Sequence, residues 1–247
     1  MTTLLHRRTL IQLGGAALLA PLVPRAARAA YKPETVKNGG RISGVVRYAG
    51  KAPRPKKVKL SGDSAYCRKF DLREEGLLVG KGKALRNVVV LLEGIRSGKP
   101  VPSETPSMAE DRCTFVPHVL SVTTRVKVEF VNRDPVLNTF HASTHPGGQT
   151  LFNIGTPKKG QKFRRRIAKP GIVEMRCDVH PWELAWIVAV DHPYHCVTDE
   201  KGAFALEQIP PGRYTLALWH EKLGTRKRKV ELNPGAHLKL ELTYPGR

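Results

Sequence analysis

The stretch that decides the fold is VEMRCDVHPWELAWIVAV, residues 173–190. Two apolar runs with the composition of β-strands flank a short polar segment, so this stretch predicts a strand, a turn and a second strand. Cys177 and His180 lie three residues apart in the turn, and Glu183 follows three residues later. A thiol, an imidazole and a carboxyl group at a strand end point to chemistry as well as structure.

Similar β-rich runs recur along the chain, separated by Gly, Pro and Asn turns. They are RISGVVRY, NVVVLLEG, HVLSV, VKVEFV, GIVEM, AWIVAV, YTLALWHE, RKVEL and HLKLELTY. No long segment has helical periodicity, and we expect a helical turn only around 66–76 or 105–112. Short strands at this spacing predict an all-β protein built from sandwiches.

The first 29 residues have the pattern of a bacterial export signal. Arg7 and Arg8 precede an apolar run at about 10–23, and residues 27–29 form a small-x-small cleavage site. The paired arginines favour a twin-arginine signal, and a general secretory signal is the alternative. We therefore expect a periplasmic or secreted protein that begins near residue 30 and has no membrane span after it.

The chain is strongly basic. Its formal net charge is +21, and removing residues 1–29, which hold four arginines and no acid, leaves +17. Outside the cytoplasm this charge favours an acidic protein partner or an anionic surface over nucleic acid. The basic runs at 158–166 and 226–229 continue into the alternating segments FRRRI and RKRKVEL, which predicts solvated strand faces and edges.

Four cysteines leave two interpretations open. Outside the cytoplasm an even number suggests two disulfides, for which Cys67, Cys113, Cys177 and Cys196 allow three pairings. Against this, the Cys-x-x-His spacing at Cys177 is typical of a metal site, and a thiolate with an imidazole suits copper or zinc. A structural cysteine near a surface histidine remains the alternative at this point.

Two motifs together resemble the cupredoxins, which are copper-binding Greek-key β-sandwich proteins. The first is NRDPVLNTFHAS at 132–143, and the second is CDVHPWELAWIVAVDHPY at 177–194. The resemblance extends from about residue 40 to 192 and implies a cupredoxin-like domain over that range. It also implies one copper ion, held by His141, Cys177 and His180.

The chain departs from the cupredoxin pattern at two positions. Asn138 stands where the family usually has a histidine, and Glu183 stands where methionine commonly follows. The resemblance therefore implies Glu183 as an oxygen ligand, with Asn138, His145 and His118 as weaker candidates. The alternatives are a degraded site that binds no metal and, for Glu183, a side chain that points into water beside Trp182.

The same resemblance guides the remaining cysteines. Cys67 and Cys113 both fall within the expected copper domain and lack metal-ligand spacing, so we expect a disulfide between them. Cys196 is then left as a buried free thiol.

The C-terminal residues resemble a second family. The motifs VTDEKGAFAL and IPPGRYTL are similar to those of carboxypeptidase regulatory-like β-sandwiches, which are structural or binding modules. We therefore expect residues 30–39 to be a linker, 40–192 to be the cupredoxin-like domain, and 193–247 to be a small second sandwich.

These observations lead to one functional hypothesis and one alternative. No nucleophile motif, phosphate-binding loop or dinucleotide fingerprint is present, so we do not expect an enzyme. We expect an exported mononuclear-copper electron carrier whose partner is an acidic redox protein such as a cytochrome. The alternative is a metal-free β-sandwich module that binds a polyanionic glycan or a cell-surface protein.

Overall fold

The computed structural model describes residues 30–61 and 65–246. The expected export signal at 1–29 lies outside these residues. Within them, we find no helix with the length and apolar character needed to cross a membrane.

The described residues form a protein built almost entirely of β-strands, which confirms the predicted fold class. Short 3-10 turns occur at Cys67–Lys69 and Lys81–Lys83. Residues 105–112, considered above for a helical turn, instead contain a strand. The strands are β1 (Lys32–Pro33), β2 (Gly40–Tyr48), β3 (Val89–Glu93), β4 (Ser97–Gly98), β5 (Ser107–Glu110), β6 (Phe115–Val116), β7 (Val119–Thr123), β8 (Lys127–Asn132), β9 (Asn138–His145), β10 (Thr150–Thr156), β11 (Lys162–Arg166), β12 (Gly171–Arg176), β13 (Leu184–Val190), β14 (His195–Val197), β15 (Ala203–Ile209), β16 (Gly212–His220), β17 (Gly224–Leu232) and β18 (His237–Tyr244).

Residues 107–190 form one sandwich, which we call the inserted sandwich. Its sheets have the strand orders β10-β9-β12-β13-β7 and β11-β8-β5-β6. The apolar faces of the two sheets meet around a cluster of aromatic rings that includes Phe130 and Phe140, 5.4 Å apart between centroids. β7 pairs parallel with β13 and β5 pairs parallel with β8, while the other neighbours are antiparallel.

The second sandwich takes strands from both ends of the chain, and we call it the discontinuous sandwich. Its sheets have the orders β14-β3-β16-β17 and β15-β2-β18. β2 lies between β15 and β18, and a Cβ atom at Gly44 would come within 1.9 Å of the Leu240 carbonyl oxygen. Only glycine allows the two strands to approach this closely.

This strand pairing corrects the expected domain limits. The segment from residue 40 through β3 was assigned to a copper domain spanning 40–192, but β2 and β3 pair with strands that follow residue 193. The expected linker at 30–39 is also partly structured, since Tyr31 is buried and its hydroxyl donates to the Lys99 carbonyl oxygen at 2.6 Å. Alternation in a strand indicates which face is buried, but it does not specify a distant partner strand.

The two sandwiches pack directly against each other. Trp186 of the inserted sandwich lies 5.6 Å from Trp219 of the discontinuous one, between ring centroids. Val89 and Val119 belong to the same apolar cluster. The sandwiches are therefore joined by a shared apolar core as well as by the chain connections.

The basic runs lie on edge strands, as their alternation predicted. β11 and β17 are the outermost strands of their sheets, and most of their arginine and lysine side chains are exposed. Charged side chains on an edge strand disfavour pairing with another chain.

Candidate metal centre

The turn between β12 and β13 brings the three residues of the opening motif together. Arg176 and Leu184 form the last register pair, so residues 177–183 close the hairpin at one end of the inserted sandwich. The Glu183 amide donates to the His180 carbonyl oxygen at 2.9 Å, which folds the turn back on itself. As a result Cys177, His180 and Glu183 are each only 2% exposed.

The donor atoms of these three residues converge on one point. The Sγ of Cys177 lies 3.6 Å from the Nδ1 of His180, and that nitrogen lies 3.1 Å from the Oε1 of Glu183. All three donor atoms lie within 4.8 Å of one another. This cluster contains the residues that the sequence singled out at 177, 180 and 183.

Asn138 and Thr139 complete the surroundings of the sulfur. The Thr139 amide donates to the Sγ of Cys177 at 3.3 Å, and the Asn138 Oδ1 lies 4.0 Å from the same sulfur. Asn138 is held in place because its Nδ2 donates to the Oδ1 of Asn132 at 3.1 Å. The residue in the family's histidine position therefore borders the cluster.

The NRDP segment anchors this end of the sandwich. Asp134 is fully buried, and its carboxylate accepts the amides of Arg112 at 2.7 Å and Cys113 at 2.8 Å. Its own amide donates to Asn132 at 2.8 Å. The expected pair, Cys67 and Cys113, is joined by a disulfide, while Cys177 and Cys196 are free. Cys196 is partly exposed, which corrects the expectation of a buried thiol.

A third buried carboxyl group, which sequence reasoning missed, lies in the same sandwich. Glu110 is fully buried, and no hydrogen bond reaches either of its carboxylate oxygens. Burial, with the nearby charges of Glu183 and Cys177, raises the pKa of Glu110 well above its ordinary value. The sequence does carry a signal for it, because Glu110 lies two residues after Met108 in a short strand. Residues two apart in a strand share one face, so the acid lies on an apolar face.

Burial and close contacts shift the pKa values of the cluster. Burial opposes a charged His180, but its contacts with Cys177 and Glu183 outweigh burial and raise its pKa to about 10. Burial also opposes the Cys177 thiolate, yet the contact with His180 and the Thr139 amide lower the pKa of the thiol. For Glu183 burial prevails, so its pKa is raised despite the nearby imidazole.

His141 does not join the cluster, which corrects the prediction that it supplies an imidazole. Its Nδ1 lies 2.8 Å from the Asp178 Oδ1, and its Nε2 lies 3.0 Å from the Thr150 hydroxyl. Side chains alternate between faces along β9, so Asn138 and Phe140 point inward and His141 points outward.

The two weaker histidine candidates also lie elsewhere. His118 is paired with the Glu221 carboxylate at the junction of the two sandwiches. His145 is exposed at the end of β9, where its Nδ1 lies 3.7 Å from the Glu174 Oε2. Neither belongs to the three-residue cluster found among the described residues.

A cleft of about 340 Å³ runs along one side of the cluster. Glu183 and Trp182 line it from the β12–β13 turn, and His118 and Glu221 line it from the junction of the sandwiches. Glu183 is therefore the member of the cluster that borders this cleft.

The cluster fits a bound metal ion in both spacing and chemistry. A tetrahedral ion about 2.3 Å from sulfur and about 2.0 Å from nitrogen holds those atoms roughly 3.5 Å apart. The observed separation between Cys177 and His180 is 3.6 Å. In addition, neither Glu183 oxygen has a hydrogen bond, and the His180 imidazole is the partner that its buried carboxylate contacts.

Comparisons with known proteins return cupredoxin structures. No protein-family model and no curated protein matches this chain. A Cu-containing nitrite reductase from Thermus scotoductus SA-01 is 25% identical over 37% of this chain and 24% of its own, with a TM-score of 0.30. A purple cupredoxin from Nitrosopumilus maritimus is 19% identical over 34% of this chain and 99% of its own, with a TM-score of 0.31. A mutant amicyanin in its reduced Cu(I) form is 19% identical over 36% of this chain and 86% of its own, with a TM-score of 0.32.

The chain thus spans about a quarter of the nitrite reductase, and each of these matches covers little more than a third of this chain. The metal chemistry proposed below rests on the donor atoms of the chain itself.

Proposed function

We propose that this protein is an exported copper protein that carries electrons through a single ion held by Cys177, His180 and Glu183. The observation that carries the proposal is the buried convergence of a thiol, an imidazole and a carboxyl group whose oxygens have no hydrogen bonds. A thiolate with an imidazole selects copper or zinc, and a carboxylate adds affinity for the divalent state.

The protein's contribution is to hold these donors before a metal arrives. Cys177 and Glu183 occupy the two ends of a tight turn between paired strands, so neither can move far without breaking the sheet. The Thr139 amide favours the thiolate, the form of cysteine that binds metal. Bound copper would supply reversible one-electron chemistry at the end of a rigid sandwich.

We propose a carrier instead of an enzyme because the thiol and imidazole are buried among apolar side chains. Electrons can reach such a site without contact between the donors and a substrate. The alternative, a metal-free module that binds a polyanion, does not account for the convergence of a buried thiol, an imidazole and a carboxyl group on one point.

Export and partner choice are parts of the same proposal. The Cys67–Cys113 disulfide suits an oxidising compartment, in keeping with the export signal expected at 1–29. The basic edge strands β11 and β17 suit an acidic redox partner, since opposite charges accelerate encounter. Reduction by such a partner should slow steeply as salt rises, because charges are screened beyond about 10 Å at 0.1 M salt.

Metal analysis of protein expressed in the periplasm tests the proposal. We expect about one copper per chain in copper-replete medium, and an absorption band from the thiolate that disappears on reduction. Loading with zinc alone in the presence of both metals would contradict electron transfer. Absence of any bound metal, together with retention on a heparin column at physiological salt, would favour the polyanion-binding module.

A further inference from the structure

Two fully buried acids lie at the metal end of the inserted sandwich, and only one of them is satisfied. Asp134 accepts two backbone amides and lies 3.2 Å from the Tyr66 hydroxyl, so its role in holding the loops is evident. Glu110 is equally buried but accepts no hydrogen bond at either oxygen. An unpaired buried carboxylate costs several kcal/mol, so a group of this kind either holds a proton or has a cation as its partner.

The strand register places the Glu110 side chain at the candidate metal centre. Met108 and Glu110 lie two residues apart in β5 and so share one face of the strand. Met108 packs in the same core cluster as Cys177. Glu110 is also the register partner of Asn132, which holds Asn138 beside the Cys177 sulfur. Glu110 therefore points between the sheets at the end where the donors converge.

The rest of the backbone fixes this position. The carbonyl oxygen of Glu110 accepts the Arg133 amide at 2.8 Å, and the chain then turns to the disulfide at Cys113. Within residues 30–61 and 65–246, no arginine or lysine forms an ion pair with Glu110.

We infer that Glu110 is a further donor of the metal centre, so that the full set is Cys177, His180, Glu183 and Glu110. This inference rests on the proposed metal-binding function and makes it more specific. With the thiolate ionised, the two carboxylates bring the donor set to three negative charges. Such a set favours a divalent ion over a monovalent one, because charge and oxygen donors both favour the harder ion.

The test compares Glu110→Gln with Glu129→Gln, using Cu(II) and Zn(II) as separate probes. Glu129 is the matched control, since it lies on the neighbouring strand β8, carries the same charge and is paired with Arg164 instead of a metal. We expect Glu110→Gln to weaken binding of both ions at least about tenfold in competition with a chelator. In metal-free protein the same substitution should leave the thermal midpoint unchanged, because a glutamine of the same size replaces a buried carboxyl group that has no hydrogen-bond partner.

The outcomes separate this inference from the function beneath it. If wild-type protein binds neither ion, the proposed function fails. If wild-type protein binds metal and Glu110→Gln binds as tightly as Glu129→Gln, the function stands and the role of Glu110 is wrong. Should Glu110→Gln fail to fold, a crystal structure of the metal-loaded wild type decides. A Glu110 oxygen about 2.0–2.2 Å from the ion supports the inference, and a Glu110 with no bond to the ion overturns it.

Discussion

The two sandwiches differ in whether certain buried polar side chains form hydrogen bonds. In the discontinuous sandwich, the hydroxyl of Tyr194 donates to the Gln208 carbonyl oxygen at 2.7 Å, and that of Tyr244 donates to the Leu218 carbonyl oxygen at 3.0 Å. In the inserted sandwich, the carboxylates of Glu110 and Glu183 accept no hydrogen bonds.

This difference in hydrogen bonding indicates different roles for the two sandwiches. Buried polar groups that form hydrogen bonds within the protein contribute to a specific packed structure. Their desolvation is already offset by these hydrogen bonds. Unpaired carboxylates reduce stability unless something outside the chain joins them. We interpret the discontinuous sandwich as support and the inserted sandwich as the part that binds the ligand.

The largest effect on copper binding should come from replacing the free cysteine of the inserted sandwich, with the free cysteine of the discontinuous sandwich as the control. Cys177→Ser should abolish the thiolate absorption of the copper protein and weaken copper binding by at least about a hundredfold, since losing a ligand exceeds the loss of a supporting contact. Cys196→Ser, in the discontinuous sandwich, should retain both properties. Visible absorption and copper content measure the effect, and equal behaviour of the two variants would remove the functional contrast between the sandwiches.

Removing the disulfide should have the next largest effect. Cys67 and Cys113 are separated by 46 residues, and a loop of this length corresponds to about 4 kcal/mol in the chain-entropy model. The bond ties the segment between β2 and β3 to the inserted sandwich, so its loss should weaken the connection between the two halves. Urea unfolding of Cys67→Ala/Cys113→Ala measures this cost, with Cys196→Ala as the control. An unchanged midpoint would contradict it.

Acid should weaken the contact between the sandwiches at His195. Its Nδ1 lies 2.9 Å from the Ser121 hydroxyl and its Nε2 lies 3.2 Å from the Thr123 hydroxyl. Burial, with the nearby charges of His192 and Lys99, lowers the pKa of His195 to about 4.

The unfolded chain takes up this proton near its ordinary pKa of about 6.5, whereas the folded protein does so only near 4. Stability is therefore fully present above about pH 6.5 and is lost as pH falls toward 4, by about 3 kcal/mol. Denaturant unfolding at several pH values measures the slope, and His195→Gln should reduce it. A slope of the same size in His195→Gln would assign the acid sensitivity to another group.

The smallest effect concerns the balance between the two copper states. Glu183→Met replaces an oxygen donor with a softer sulfur, which should favour Cu(I). We expect the reduction potential to rise by at least about 60 mV, which is a tenfold change in relative affinity for a one-electron couple. The absorption spectrum should shift toward that of ordinary blue copper. Voltammetry on the two proteins measures the change, and an unchanged potential and spectrum would mean that Glu183 does not reach the metal.

Much of this site could be predicted from local sequence. The spacing of Cys177, His180 and Glu183 requires only that a turn close between two neighbouring strands, and the structure folds these seven residues in that way. His141 was the error, although the alternation of Asn138, Phe140 and Ala142 already indicated the inward face of that strand. The resemblance to cupredoxins favoured His141 as a ligand, whereas the alternation along β9 places it on the outer face.

The sequence alone determined the β-strand character of the chain, the basic edge strands and the thiol–imidazole–carboxyl turn, because these depend on residues close together in the chain. Tertiary structure decided that β2 and β3 belong with the C-terminal strands, and that Glu110 of β5 is buried in the same sandwich as the turn, more than sixty residues before it. Strand pairing between distant segments depends on the combined packing of whole sheets, which no single strand's pattern specifies. The same packing leaves the Glu110 oxygens without a hydrogen bond among the described residues, and this is why its proposed role became visible only in three dimensions.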